Sequence, residues 1–476
     1  MSDIQVITTE GGQAVLAEAK MKEFESGLRG ELLRPGDDGY DGARAIWNGM
    51  IDKRPALIAR ATGVADVIDA VRFARTNNLL VSVRGGGHNV AGLAVCDGGL
   101  MIDLSLMKGI HVDPKARTAR AQPGASLGDL DRDTQAFGLA VPAGIVSTTG
   151  IAGLTLGGGI GWLSRKYGLT VDNLLSVDMV TADGQFVTAS EDENADLFWG
   201  VRGGGGNFGI VTSFEYRLHP VGPMVVAGVV FHPLEKAKEV LRFYRDYVAS
   251  APDELAALPF IRLAPPVPFL PKDVHGAPVI GIAVLYAGSI ADGERVVRPL
   301  REFGSPLVDL IGPKPFTAHQ AMFDSGATPG EQYYVKSEYL PGFTDDAIDT
   351  IVKYGASITS PMSLAVFFHL GGAVSRVGGH ETAFSHRDAA FSLIIQSHWL
   401  DAAESDKHIG WTRDFWKAMQ QFSGGGVYVN FVSEDEGEDR VRAAYDAAKY
   451  ERLVALKNKY DPTNLFRRNQ NIKPTV

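Results

Sequence analysis

Glycine in this chain is bunched, at 85–87, 98–99, 157–161, 203–206, 371–372 and 424–426, and that bunching limits what the chain can fold into. There are 55 glycines in 476 residues, above the usual share of about 7%. Low-complexity disorder would scatter them among Ser, Pro and Gln. Here they alternate with apolar, strand-like runs. The pattern implies backbone brought close to a bulky ligand, where only glycine removes the Cβ obstacle.

Hydrophobic residues make up 45% of the chain and charged residues 21%, the balance of a globular protein long enough for two or three compact units. A formal charge of −10 removes the electrostatic drive for non-specific binding to nucleic acid or anionic lipid. Neither partner is expected. No stretch of 18 or more apolar residues exists, so no membrane-spanning helix is expected. The opening MSDIQVITTEGG lacks a signal-peptide pattern, and a lone cysteine, Cys96, forms no intrachain disulfide. A cytoplasmic protein is the expectation. Cys96 itself reads as a small buried hydrophobe.

Residues 64–77 place Val64, Val67, Ile68, Val71 and Ala74 on one helical face, with Thr62 as a candidate cap. Leu79 to Val83 reads as a strand running into Arg84-Gly85-Gly86-Gly87, and Leu100 to Leu104 as another. Residues 174–189 read as a hairpin turning at Asp183-Gly184, and 209–218 as a strand ended by His219-Pro220. From about 221 the texture changes. Long apolar strands (MVVAGVVF, PVIGIAVLYAG, MSLAVFFHL, FSLIIQSHWL) alternate with amphipathic helices at 234–249, 292–303 and 345–354. The expected fold class is α+β, with residues 1–220 as one unit, 221–424 as a sheet covered by helices, and 425–476 as a returning C-terminal segment.

Residues 204–209, GGGNFG, satisfy the G-x-G-x-x-G dinucleotide pattern, but a strand follows them where that pattern requires a helix. A nicotinamide-binding unit is therefore not expected. In Arg84-Gly85-Gly86-Gly87-His88-Asn89, three glycines after a strand can converge backbone N–H groups on an anion such as a pyrophosphate, with His88 at the rim. A tight turn with a surface histidine is the competing reading of these residues alone.

The order of motifs resolves that choice. RGGGHN, then GLTLGGGIGWLSRKYGL, then GVRGGGGNFGIV, then the terminal NKYDPTNLFRRNQNI together resemble the berberine-bridge-enzyme-like oxidases. These are FAD proteins of the vanillyl-alcohol-oxidase superfamily, and the resemblance covers nearly the whole chain. It implies a two-subdomain FAD-binding domain interrupted by a substrate domain whose antiparallel sheet roofs the flavin. It also implies covalent FAD on His88. The matching positions imply cofactor contacts at Arg84, Gly85, Gly86, Gly87 and Asn89. Further contacts are implied at Ser147, Thr148, Gly150, Gly153, Gly157, Gly158, Gly159, Gly161, Ile210, Val211, Asn430 and Asn469.

Many members carry a second tether, a cysteine, where this chain has Val146, and a histidine where it has Leu154. A single covalent bond, through His88 only, is the expectation. Gly426-Val427-Tyr428-Val429-Asn430 resembles the family's Y-x-N, whose tyrosine acts as a base. Strand alternation would put Tyr428 and Asn430 on one face. A tyrosine with its ordinary pKa near 10 needs help to act as a base, and Lys336 is the candidate helper. Phe367, His369, Gln396 and His398 are candidate pocket residues on the substrate-domain strands. No metal site is expected, since His380 and His386 lack a second liganding pair.

The implied activity is hydride transfer from a small-molecule alcohol, hemiacetal or amine to covalent FAD, with O2 as acceptor and H2O2 as product. A dehydrogenase using another acceptor, and a flavin-binding protein without turnover, stay open at this stage.

Overall fold

The computed structural model describes residues 3–476. Its first unit holds two sheets. One has the strand order Glu31–Leu33, Leu57–Arg60, Leu100–Asp103, Val81–Arg84, the last three mutually parallel. Parallel neighbours need a crossover, and the helix Val64–Thr76 supplies it, burying Val67, Ala70, Val71 and Ala74. Thr62 is not its cap: the residue before the helix is Gly63, and Asp66 in the first turn accepts from the Thr62 N–H and hydroxyl. The Asp66 carboxylate thus ties the segment before the helix to its first turn, and its charge suits the positive end of the helix dipole.

The second sheet is antiparallel, in the order Phe186–Ser190, Leu174–Val180, Ile210–Arg217, Thr118–Ala121, Ile110–Asp113. Its Asp183-Gly184 hairpin has Gly184 at φ 76°, the left-handed backbone that glycine tolerates best. The strand Ile210–Arg217 follows directly on GGGNFG.

The long apolar runs form an eight-stranded antiparallel sheet from Met224–Pro233 to Phe391–Trp399, including Leu255–Leu263 and Gln332–Leu340. Its strands are apolar on both faces because both are covered. Val226, Val230, Ile261, Ala365 and Leu393 pack under the helices Ala237–Val248, Asp345–Gly355 and Ser405–Met419. Val225, Phe260, Val366 and Ile394 face the first unit and share a core with Trp47, Trp162 and Tyr428. The chain then returns, placing Val427, Val429, Leu453 and Ile472 in the core beneath the second sheet.

A buried ion pair and buried guanidinium–carbonyl bonds fasten the units. Arg387 holds Asp172 at 2.6 and 3.0 Å. Arg165, from the RKYGL run, donates to the carbonyls of Leu255 and Leu370. Among the described residues, no helix is long and apolar enough to cross a membrane.

Candidate active site

Between the roof sheet and the first unit lies a cavity of about 360 Å³. Its floor includes Gly85, Gly86, Gly87, His88, Asn89, Val146, Gly150, Gly153, Ile210 and Val211; its roof includes Arg262, Leu364, Val366, Phe368, Ile394 and Gln396. Tyr428, Asn430, Arg468 and Asn469 reach it from the returning segment. Residues far apart in sequence meet here because the glycine loops let backbones touch. Gly86 and Gly150 lie back to back, so a Cβ on either would collide with the other's backbone.

His88 is a half-buried titratable group on the floor, with its Nε2 enclosed. Its Nε2 has no hydrogen-bond partner, and its ring stacks on Trp47 with centroids 4.2 Å apart. Burial pushes its pKa down to about 4, so the imidazole is neutral and keeps a free lone pair at physiological pH. Trp47 in turn stacks on Tyr333 at 3.8 Å, and Tyr333 on His398 at 4.2 Å. This column runs from floor to roof. Trp47 and Tyr333 were not evident in the sequence, where neither IWNGM nor EQYYV carries a recognisable motif.

Tyr428 and Asn430 meet, though not along a strand as alternation implied: Val429–Phe431 is a single 3-10 turn. The Asn430 amide donates to the Tyr428 oxygen at 2.8 Å, and the Gly159 N–H donates to it at 2.9 Å. Burial pushes the phenol up to about 12, against the lowering effect of those donors. Gly157, Gly158, Gly159 and Gly161 do not line the cavity: the first three lie against this pair, and Gly161 packs on the Ala143 carbonyl. A Cβ on Gly157 would strike the Asn430 carboxamide, and one on Gly158 would strike Phe384.

Other expected positions also face elsewhere. The Arg84 guanidinium turns away from the cavity, donating to the Ala43 carbonyl beside Asp103. Ser147 and Thr148 stand outside the lining, and Ser147 bonds Asp324 through both its N–H and its hydroxyl. Lys336 is no helper of Tyr428. It lies on the helix side of its strand, held by Asp435 at 2.8 Å and Glu436 at 3.3 Å. Phe367 belongs to the core under the helices. His369, on the same face, bonds Arg165 at 3.0 Å.

Gln396 does line the cavity. His398 shares its face but is capped by Tyr333 and paired with Glu331, so it supports the wall from behind. The missed group is Arg262, a lone cation in the apolar run LPFIRLAPP, and that isolation was its one sequence signal.

The lining fits a flavin nucleotide. The slot is mostly apolar, with the orphaned acceptor Asn469 Oδ1 and the orphaned His88 Nε2 buried beside it. A Cβ on Gly153 or Gly206, both lining residues, would meet nothing within 4 Å and so would occupy ligand space.

Comparison with known proteins agrees with that geometry. A model described as FAD binding domain matches residues 55–190, and one described as Berberine and berberine like matches residues 427–473. An FAD-linked oxidoreductase of Dictyostelium discoideum is 32% identical over 470 residues, covering 98% of this chain and 99% of that protein. The (R)-6-hydroxynicotine oxidase of Paenarthrobacter nicotinovorans is 33% identical over 470 residues, covering 94% and 97%. The crystal structure of 6-hydroxy-D-nicotine oxidase from Arthrobacter nicotinovorans superposes with a TM-score of 0.85 at 31% identity, covering 94% of this chain and 98% of that one. With the cavity, the two-unit α+β architecture and these full-length relatives in agreement, the chain belongs to the berberine-bridge-enzyme-like family of FAD-linked oxidoreductases.

Proposed function

We propose that the protein is an oxidase that takes a hydride from a small-molecule alcohol, hemiacetal or amine onto FAD attached through His88 alone, and passes the electrons to O2 to give H2O2. The observation that carries this reading is His88: a neutral, half-buried imidazole whose enclosed Nε2 lacks a partner beside an apolar, glycine-lined slot. Val146 lines the same slot and offers no thiol, which supports a single tether.

FAD, when bound, supplies the hydride acceptor. The chain does the rest. Gly153 and Gly206 leave room for the cofactor, the close approach of Gly86 to Gly150 shapes the floor beneath it, and Asn469 offers it a hydrogen-bond acceptor. Leu364, Val366, Phe368 and Ile394 exclude water above it. Tyr428 receives two N–H donors on its oxygen, which leaves its O–H as the group presented to substrate. Once that proton is lost to solvent, the same two donors stabilise the phenolate without reorganising, and the phenolate oxygen can take the substrate proton. Tyr428 is thus assigned to remove the substrate proton.

Reaction with oxygen is tested by rapid mixing of the reduced holoenzyme with air-saturated buffer. Reoxidation within seconds is expected. Reoxidation over minutes would make the protein a dehydrogenase with another acceptor.

A further inference from the structure

Resting on the hydride-transfer reading above, the placement of Arg262 says which molecules enter. Residues alternate along Leu255–Leu263: Ala256, Leu258 and Phe260 face the first unit, whereas Leu255, Ala257 and Ile261 face the helices. Arg262 continues the inward set and lines the cavity roof. Across the sheet it pairs with Leu364, which pairs with Gln396. A guanidinium and a carboxamide therefore flank an aliphatic side chain on one row of the roof.

Among the described residues, none neutralises that guanidinium. Its one hydrogen bond is from Nε to the Leu263 carbonyl at 3.2 Å, and among the described residues no carboxylate lies within 4 Å of it. Burial lowers its pKa with no acidic neighbour opposing the effect. Among the described lining residues there is no Asp or Glu at all, and the charged side chains are Arg262 and Arg468. Arg468 comes from the returning segment and donates to the Val95 carbonyl on the flavin-binding side. Arg262 stands alone on the roof. A cation held in an apolar wall at a desolvation cost needs an anion from elsewhere.

We infer that the substrate is a small, largely apolar or aromatic molecule carrying one carboxylate, which the Arg262 guanidinium and the Gln396 amide bind on the roof. The planar guanidinium fork matches a carboxylate in two-point fashion, and the amide N–H2 supplies a further donor. A single guanidinium balances a monoanion. Apolar neighbours such as Phe323, Val366 and Phe368 would take the rest of the molecule.

The test uses flavin-loaded wild type, R262Q and R262K. Binding is read from the perturbed flavin absorbance in anaerobic titrations with benzoate, cinnamate and indole-3-acetate, each against its primary amide. Wild type is expected to bind at least one acid about 30-fold more tightly than its amide, the lower end of what a desolvated charge pair is worth. R262Q should bring that ratio near one, and R262K should retain part of it. Melting temperature and flavin content show whether each variant is folded and loaded. If no acid outbinds its amide, or if the ratio survives in R262Q, the proposal is overturned. Because binding needs no turnover, the two readings fail separately. Acids that bind through Arg262 while no alcohol or amine bleaches the flavin would remove the oxidase reading alone. Bleaching by uncharged substrates together with a ratio of one in wild type would remove this proposal alone.

Discussion

Replacing Tyr428 with phenylalanine removes one oxygen and leaves a ring that still packs edge-on against Phe384 and Phe431, at 6.2 and 5.4 Å. The loss of stability follows from the two donors left behind. Asn430 keeps a second acceptor, the Leu154 carbonyl at 3.2 Å, but the Gly159 N–H is fixed in a buried loop and loses the Tyr428 oxygen. One stranded donor costs about 1–3 kcal/mol, too little to unfold the protein. Activity suffers more, because loss of a positioned base lowers kcat by about 10²–10⁴. Burial pushes the phenol up to about 12. At pH 7 it is thus about five decades below half-ionised, so roughly one molecule in 10⁵ holds a phenolate. Wild-type kcat should then climb close to tenfold per pH unit between about 7 and 10, with the Y428F profile flat. The assay is anaerobic flavin bleaching at several pH values, with the substrate that bleaches wild type fastest. A folded, flavin-loaded Y428F that keeps both the rate and the slope would refute the assignment and leave Tyr428 a packing residue.

Asp131 sits fully buried, with Gln320 donating to it at 2.8 Å, and burial raises its pKa to about 7. The folded state therefore holds a proton between about pH 4 and 7 that the unfolded chain has released, so the contribution of Asp131 to stability falls as pH rises through that window, by up to about 4 kcal/mol. D131N should gain on wild type in denaturant titrations from pH 4 to 7, whereas parallel stability curves would contradict this. K336M should lower stability by about 1.5–3 kcal/mol, because Asp435 and Glu436 each lose one charged hydrogen-bond partner but keep Arg413 and Arg440. It should leave the kcat–pH profile unchanged, which a helper of Tyr428 could not do.

Much of the molecule was legible where a pattern has one physical cause. The helix at Val64–Thr76 and the hairpin at Asp183-Gly184 follow from periodicity and turn chemistry. So does the strand after GGGNFG, which excluded a nicotinamide fold. The roof strands were harder. Period-two alternation groups Phe367 with His369 and sets them apart from Val366 and Phe368. With both faces buried, however, it cannot tell which group looks into the cavity. Phe367 and His369 fell to the helix side by that ambiguity, as did Lys336, whose charge is absorbed by Asp435 and Glu436. The glycines of 157–161 were misread for a different reason. A glycine makes room for whatever arrives, and here Asn430 arrives against Gly157 and Phe384 against Gly158 from far along the chain. Contacts between segments that distant leave no local trace.

The account turns on His88, and one measurement tests it most directly. The purified holoprotein is precipitated in acid, washed and digested, and the peptide containing His88 is weighed by mass spectrometry. A yellow pellet, a His88 peptide heavier by one FAD less two hydrogens, and a colourless pellet from H88A are the predicted results. Flavin released into the supernatant of the wild-type protein, or a flavin mass on any other peptide, would contradict the central claim.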